Sequence, residues 1–243
     1  MPFFFLRRIV HKALRCSGRK IYRVPSNAVT GTDLEEDLRL VVGHDHPVCF
    51  DVGANEGQTI RLLQRAFLEP TIHAFEPAGV IFEKLKAQWF RRKVFLHRMA
   101  LGAESAHREF INYRKSVLSS FLPLDNDPEN RFRHTEIVSR EMVEVQTVDE
   151  FVATHRIEKI DLLKIDTQGS DLAVLQGSSA TLAHGAIAHV LIELNFVPMY
   201  AKQPAAQDII SHLAGHNFAL VDYYQKERKH HAMAWCTALF SRR

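Results

Sequence analysis

Five side chains and glycines early in the chain have the types and spacing to hold a ligand. Asp51, Gly53, Asn55 and Gly57 fall within Phe50-Asp51-Val52-Gly53-Ala54-Asn55-Glu56-Gly57, and Glu76 follows in Ala74-Phe75-Glu76-Pro77. In each case an apolar run ends in an acid. That pattern makes a pocket for an adenosine-bearing cofactor at the carboxyl ends of two neighbouring parallel strands. Gly53 lets the chain turn sharply and lets a ligand approach, because no Cβ intervenes. Asp51 and Asn55 offer polar groups to the amino-acid end of a cofactor. Glu76, at the tip of the second strand, can accept hydrogen bonds from both ribose hydroxyls. A dinucleotide site needs G-x-G-x-x-G with a pyrophosphate against a helix N-terminus. Here Asp51 and Glu56 stand at the first and third glycine positions, where they repel a pyrophosphate. S-adenosylmethionine, with a cationic sulfonium and no phosphate, suits these acids better. A nicotinamide oxidoreductase is the alternative enzyme class.

A second cluster, Lys164-Ile165-Asp166-Thr167-Gln168-Gly169, ends a later apolar run, and Glu193 and Asn195 end the next one. Open α/β sheets bind ligands outside the carboxyl ends of their strands, so these residues should share the crevice with Gly53 and Glu76. Methyl transfer to a hydroxyl needs a positioned nucleophile and an acceptor for its proton, and a placed carboxylate supplies about 10²–10⁴-fold. Asp166 is the candidate base, with Glu193 and Asn195 in support. A divalent cation shared by Asp166, Glu193 and Asn195 is a second, less favoured arrangement. Asp166 could instead cap a helix. Lys164, on the same strand face as Asp166, fits a structural partner of a carboxylate better than a catalytic group. Ser119 and Ser120 lie between turn-forming segments, as part of a lid or of a simple turn. The 14 histidines are scattered, and neither His44-x-His46 nor His230-His231 has the spacing of a zinc site.

The elements that must position these residues follow from periodicity. Thr32-Asp33-Leu34-Glu35 reads as a capping box opening a helix that stops at Gly43. Strands at 48–52, 71–75 and 94–98 alternate with helices at about 57–67 and 78–90, the opening of a doubly wound sheet. Strand-like alternation in Arg108–Tyr113 and Met142–Gln146 interrupts that order, with a turn-forming Asp125–Asn130 between. Thr147-Val148-Asp149-Glu150 starts a short helix to about His155. Ile160–Ile165 is a strand, 170–183 a helix broken at Gly177, and Ala188–Leu194 another strand. Pro204 suits the first turn of a helix to about His216. Phe218–Tyr223 and Met233–Phe240 form a terminal antiparallel hairpin. The expected fold is α/β, Rossmann-like, with a mostly parallel sheet and that hairpin at its end.

The chain has 243 residues, 46% of them apolar, which suits one α/β domain with a large core. The cysteines, Cys16, Cys49 and Cys236, form no C-x-x-C pair and fit a reducing, cytoplasmic setting. No run approaches the roughly 18–20 apolar residues of a membrane span. Overall there are 31 Lys/Arg against 28 Asp/Glu; seven of the basic residues and no acid fall in 1–32, so the rest carries 24 against 28, a net −4. Residues 1–32 therefore read as a basic N-terminal extension, and 33–243 as the domain. Pro2–Leu14 has amphipathic helical spacing, and residues 1–23 could lie on an anionic membrane surface, pack on the body, or fray. The acidic body argues against nucleic acid.

Taken together, the motifs resemble the FkbM family of S-adenosylmethionine-dependent methyltransferases. The matching pieces are the two early motifs, Ala100-Leu101-Gly102, Val145–Phe151, Asp161–Asp166, Asp171–Gly177 and Leu191–Asn195. The resemblance implies a class I methyltransferase fold. It implies the cofactor near Asp51, Gly53, Ala54, Asn55, Gly57, Glu76 and Pro77, with Ala100 near the base. It also implies a hydroxyl acceptor such as a sugar, glycolipid or polyketide-like small molecule. One departure stands out: the family often has K-I-D-V-E-G where this chain has Gln168. An amide cannot act as a base, so Asp166 must carry more. A scaffold that keeps the fold without the chemistry is the non-enzymatic reading.

Overall fold

The computed structural model describes residues 28–89, 93–125 and 135–243. The expected amphipathic helix at Pro2–Leu14, the membrane contact of residues 1–23, and most of the turn at Asp125–Asn130 lie outside them.

Apolar runs too continuous to face water on either side become the central strands. β1 (Val48–Val52) lies between β2 (Thr71–Phe75) and β7 (Ile160–Ile165). β3 (Val94–His97) extends the sheet beyond β2, and β8 (Ile187–Asn195) beyond β7, all parallel. β10 (Ala232–Arg242) then runs antiparallel between β8 and β9 (Phe218–Lys229). The strand order β3-β2-β1-β7-β8-β10-β9 is the expected mostly parallel sheet closed by an antiparallel hairpin.

Helices cover both faces. α1 (Leu34–Val42), α2 (Gln58–Ala66) and α3 (Gly79–Gln88) contribute Leu38, Ile60, Leu63 and Leu85 to a core that also takes Cys49, Ile72 and Leu162 from the strands. On the other face, α4 (Val148–His155), α5 (Asp171–Gln176), α6 (Ser179–Ala183) and α7 (Ala206–Gly215) bring Phe151, Val174, Leu182 and Leu213 against Phe50, Val52 and Phe75. Strand alternation thus sends Cys49 to one layer and Phe50 to the other.

The starts and stops follow local chemistry, with two adjustments. α1 is capped by Asp33, not Thr32: the Asp33 carboxylate accepts from the Glu35 and Glu36 amides at 3.0 and 3.1 Å. An aspartate is as good a cap as a threonine and sits one residue closer to the apolar stripe. Pro204 lies just outside α7, whose N-cap is Ala205; Asp208 reaches back to the Ala205 amide at 3.0 Å. The predicted break at Gly177 does divide α5 from α6. A Cβ there would stand 1.9 Å from the Gly102 carbonyl oxygen, so only glycine lets this joint pack against the loop after β4.

The interrupting residues form a second sheet, order β4-β6-β5, from β4 (Ala100–Leu101), β5 (Ala106–Tyr113) and β6 (Ile137–Gln146). Because β4 follows β3 almost directly, this small sheet stands beside the carboxyl ends of the parallel strands. A strap, residues 116–125, follows β5 and begins with a 3-10 turn at Ser116–Leu118.

Candidate functional site

The turn after β1 depends on left-handed backbone. Gly53 has φ 84°, and a Cβ there would fall 2.0 Å from the Asp166 carbonyl oxygen, so β1 and β7 close on each other only through glycine. Gly57 has φ 80°, and its missing Cβ makes room for the Trp89 indole. Between them Asn55, at φ 45°, presents its amide to the Glu76 side chain.

Above this turn lies a cleft of about 920 Å³, counting its open mouth. Gly53, Ala54, Asn55, Glu76, Pro77, Ala100, Lys164, Asp166 and Gln168 line it. Sequence-predicted residues from four strand ends therefore meet in one place. The strap and β5 close the far wall with Ser116, Ser119, Phe121 and Phe110. Ser119 is thus part of a cover, whereas Ser120 is fully buried behind it.

Glu76 is held at both carboxylate oxygens. One oxygen accepts from the Asn55 amide at 2.8 Å and the other from the Ala78 amide at 2.9 Å. Burial pushes its pKa up to about 7, with the two amides pulling the other way. Each oxygen keeps a lone pair for a further donor.

Asp51 and Gly57, expected at the cofactor, do not line the cleft. Asp51 is fully buried beneath it, with the Lys164 ammonium at 3.3 Å. The two are register partners on adjacent parallel strands, so they share a face. Burial raises the Asp51 pKa, and Lys164 opposes that. Burial also works against the Lys164 charge, but the carboxylates of Asp51 and Asp166 outweigh it and raise its pKa. Lys164 is therefore the structural counter-ion, as its place in an apolar run implied.

Asp166 lines the cleft. It is about a third exposed, 3.6 Å from Lys164, and caps no helix. The ordering of the loop before α5 falls to Asp171, whose oxygens accept from the Thr167 amide at 2.8 Å and the Gly169 amide at 3.2 Å. Burial pushes the Asp171 pKa up to about 6.

Glu193 and Asn195 do not reach the cleft wall; they stand behind Gln168. The Gln168 amide donates to Asp166 at 2.6 Å and to Glu193 at 3.2 Å, and Asn195 donates to Glu193 at 3.3 Å. Burial, then the charges of Asp166 and Asp171, push the Glu193 pKa up to about 8. No group of three or more His, Cys, Asp or Glu among the described residues has the geometry to hold a metal ion.

Sequence reasoning missed Tyr200. It is 1% exposed, and its hydroxyl lies 2.9 Å from the Gln168 amide oxygen and 3.0 Å from the Leu118 carbonyl. Its only signal was an aromatic residue soon after a strand that ends in polar groups.

The donor set suits a nucleoside with a cationic tail. Two acids, Glu76 and Asp166, line the cleft against one lysine, and that lysine is already paired.

The family described as the Methyltransferase FkbM domain matches residues 51–220. The 31-O-demethyl-FK506 methyltransferase FkbM of Streptomyces tacrolimicus is 28% identical over 196 residues, covering 72% of this chain and 73% of its own. Among solved structures, the magnesium protoporphyrin IX methyltransferase ChlM of Synechocystis PCC 6803, with bound S-adenosylmethionine, aligns at a TM-score of 0.43 and 10% identity. That alignment covers 86% of this chain and 79% of that one. TrmK of M. capricolum, with S-adenosylhomocysteine, aligns at 0.46 and 12% identity, covering 84% and 67%.

Proposed function

Because this chain belongs to the FkbM family of S-adenosylmethionine-dependent methyltransferases, we propose that it methylates a hydroxyl group, on a sugar, glycolipid or polyketide-like small molecule. Its sheet is the Rossmann-like class I methyltransferase fold. When bound, S-adenosylmethionine supplies an electrophilic methyl carbon on a cationic sulfur.

The chain's own residues do the rest. Glu76, held by two backbone amides, accepts the ribose hydroxyls. The Gly53 turn lets the backbone approach the amino-acid end. Asp51 acts through Lys164, fixing the charge beneath that turn rather than touching the ligand. Asp166 receives the acceptor hydroxyl and takes its proton as the new O–C bond forms and the C–S bond breaks. The strap and β5 exclude water from the cleft.

The observation that carries this reading is that Glu76 and Asp166, from β2 and β7, line a single cleft around the glycine turn. A hydroxyl acceptor is also supported by the curated relative, whose name describes a substrate lacking a methyl on oxygen. The test is a mass-spectrometric search for compounds in a cell extract that gain one CH₂ with S-adenosylmethionine. Asp166→Ala should lower that transfer by about 10²–10⁴-fold while S-adenosylhomocysteine binds within about threefold of wild type. Equal loss of binding would remove Asp166 from the acceptor side. Methylated nitrogen or carbon in the product would overturn the hydroxyl assignment.

A further inference from the structure

Gln168 is bonded to both acceptor-side carboxylates and to the cover of the cofactor cleft. Its side-chain nitrogen donates one hydrogen to Asp166 and the other to Glu193. Its backbone carbonyl oxygen accepts from the buried Ser120 hydroxyl at 2.6 Å, in the strap. Its backbone is left-handed, at φ 55°, a conformation a side-chain-bearing residue adopts only where its surroundings demand it. Flipping the amide would set its oxygen against two carboxyl groups. The orientation is thus determined, and it leaves the amide oxygen facing Tyr200.

Tyr200 touches the strap at several points. Its hydroxyl hydrogen is shared between the Gln168 amide oxygen and the Leu118 carbonyl. Its backbone bridges Leu124, the Ala201 amide donates to Pro123 at 2.8 Å, and the Asp125 amide donates to Met199 at 2.9 Å.

We propose that Gln168 and Tyr200 are a positioning pair: the amide spans Asp166 and Glu193 and aims Asp166 into the cleft, while the tyrosine hydroxyl fixes the amide and pins the strap. The inference rests on the reading of Asp166 as the acceptor-side carboxylate. It gives the amide a task that a carboxylate at position 168 could not perform. A glutamate there would be a third acid between Asp166 and Glu193, with Asp171 behind them and only Lys164, already shared with Asp51, to offset it. Tyr200 faces the same carboxylates from the strap side, with Tyr113 of β5 beside it.

The pair is tested in the full chain with ¹⁵N-labelled glutamine, without ligand. The Gln168 side-chain amide is assigned by its loss in Gln168→Leu. In wild type both its protons should exchange slowly, being held by two carboxyl groups. In Tyr200→Phe they should exchange about tenfold faster or more. With extract and labelled S-adenosylmethionine, Tyr200→Phe should lower the saturated rate about tenfold at unchanged cofactor KM. Gln168→Glu should lose transfer near neutral pH and regain part of it at acid pH, where the added carboxyl is neutral. A structural role alone would lower the melting temperature of Tyr200→Phe and leave the Gln168 amide signals as they were; that result overturns the pair. If S-adenosylhomocysteine fails to bind wild type, the cofactor reading falls, and the ligand-free amide exchange still decides the pair.

Discussion

Replacing Glu76 separates its two duties. In the free protein its oxygens satisfy the Asn55 and Ala78 amides, and it is 6% exposed. On the proposed reading, each oxygen gains a ribose hydroxyl donor when the ligand binds. A hydrogen bond to a charged group contributes about 1.5–3 kcal/mol. Glu76→Gln keeps one accepting oxygen, so S-adenosylhomocysteine should bind about 10–150-fold more weakly. Glu76→Ala removes both, so the loss should be about 10²–10⁴-fold. The pH dependence gives a second, independent reading. The free carboxyl sits at about 7, and two hydroxyl donors stabilise its ionised form. Below that value, binding must expel a proton, so affinity falls as pH falls. Between pH 8 and pH 6 the loss should approach tenfold, since one pKa unit corresponds to about 1.4 kcal/mol. Isothermal calorimetry at several pH values measures both effects and the proton released. A Glu76→Ala protein that binds within threefold of wild type, or an affinity flat across that range, would refute the ribose assignment.

Other variants probe the frame. Lys164→Met should cost about 3–5 kcal/mol in urea unfolding, because it strands the buried Asp51 carboxylate; a loss under about 1 kcal/mol would show that Asp51 needs no counter-ion. Gly177→Ala should destabilise by about 1–3 kcal/mol in thermal melts, since its Cβ meets the Gly102 carbonyl. His73 and His97, 3.2 Å apart, have pKa values pushed down to about 4 by burial and then by neighbouring imidazoles. Their folded values lie below the unfolded 6.5, so the unfolded chain takes up protons first. Their contribution is present above pH 6.5 and lost as pH falls toward 4. The double variant His73→Phe, His97→Phe should therefore move the acid unfolding midpoint to lower pH; an unmoved midpoint would assign the acid limb to other groups. Glu193 runs the opposite way. Its raised value, about 8, makes stability fall as pH rises from 4.5 toward 8. Glu193→Gln should flatten that limb of the melting curve, and an unchanged slope would count against the burial of its charge.

Much of this arrangement was legible before any contact was known. β1, β2 and β7 are predominantly apolar runs, and such runs become central strands when both their faces are covered. Gly53 and Gly57 announced a turn because other residues pay heavily for positive φ. Glu76 could be placed because the end of a strand adjoining β1 has nowhere else to point. The first half of β6, Ile137–Arg140, escaped notice because its side chains are exposed and it is held as a strand only by its ladder to β5.

What the chain's order could not reveal is which way the acids face. Asp51 and Asp166 both end apolar runs, yet one is sealed against Lys164 and the other opens to the cleft. That difference comes from strand register and from what packs above each end. Tyr200 was equally hidden, since its partners, Leu118 and Gln168, are 82 and 32 residues away. Local patterns fix backbone conformation through forces between near neighbours. Side-chain partnership across such separations is settled only when the sheet closes and the strap lies down on it.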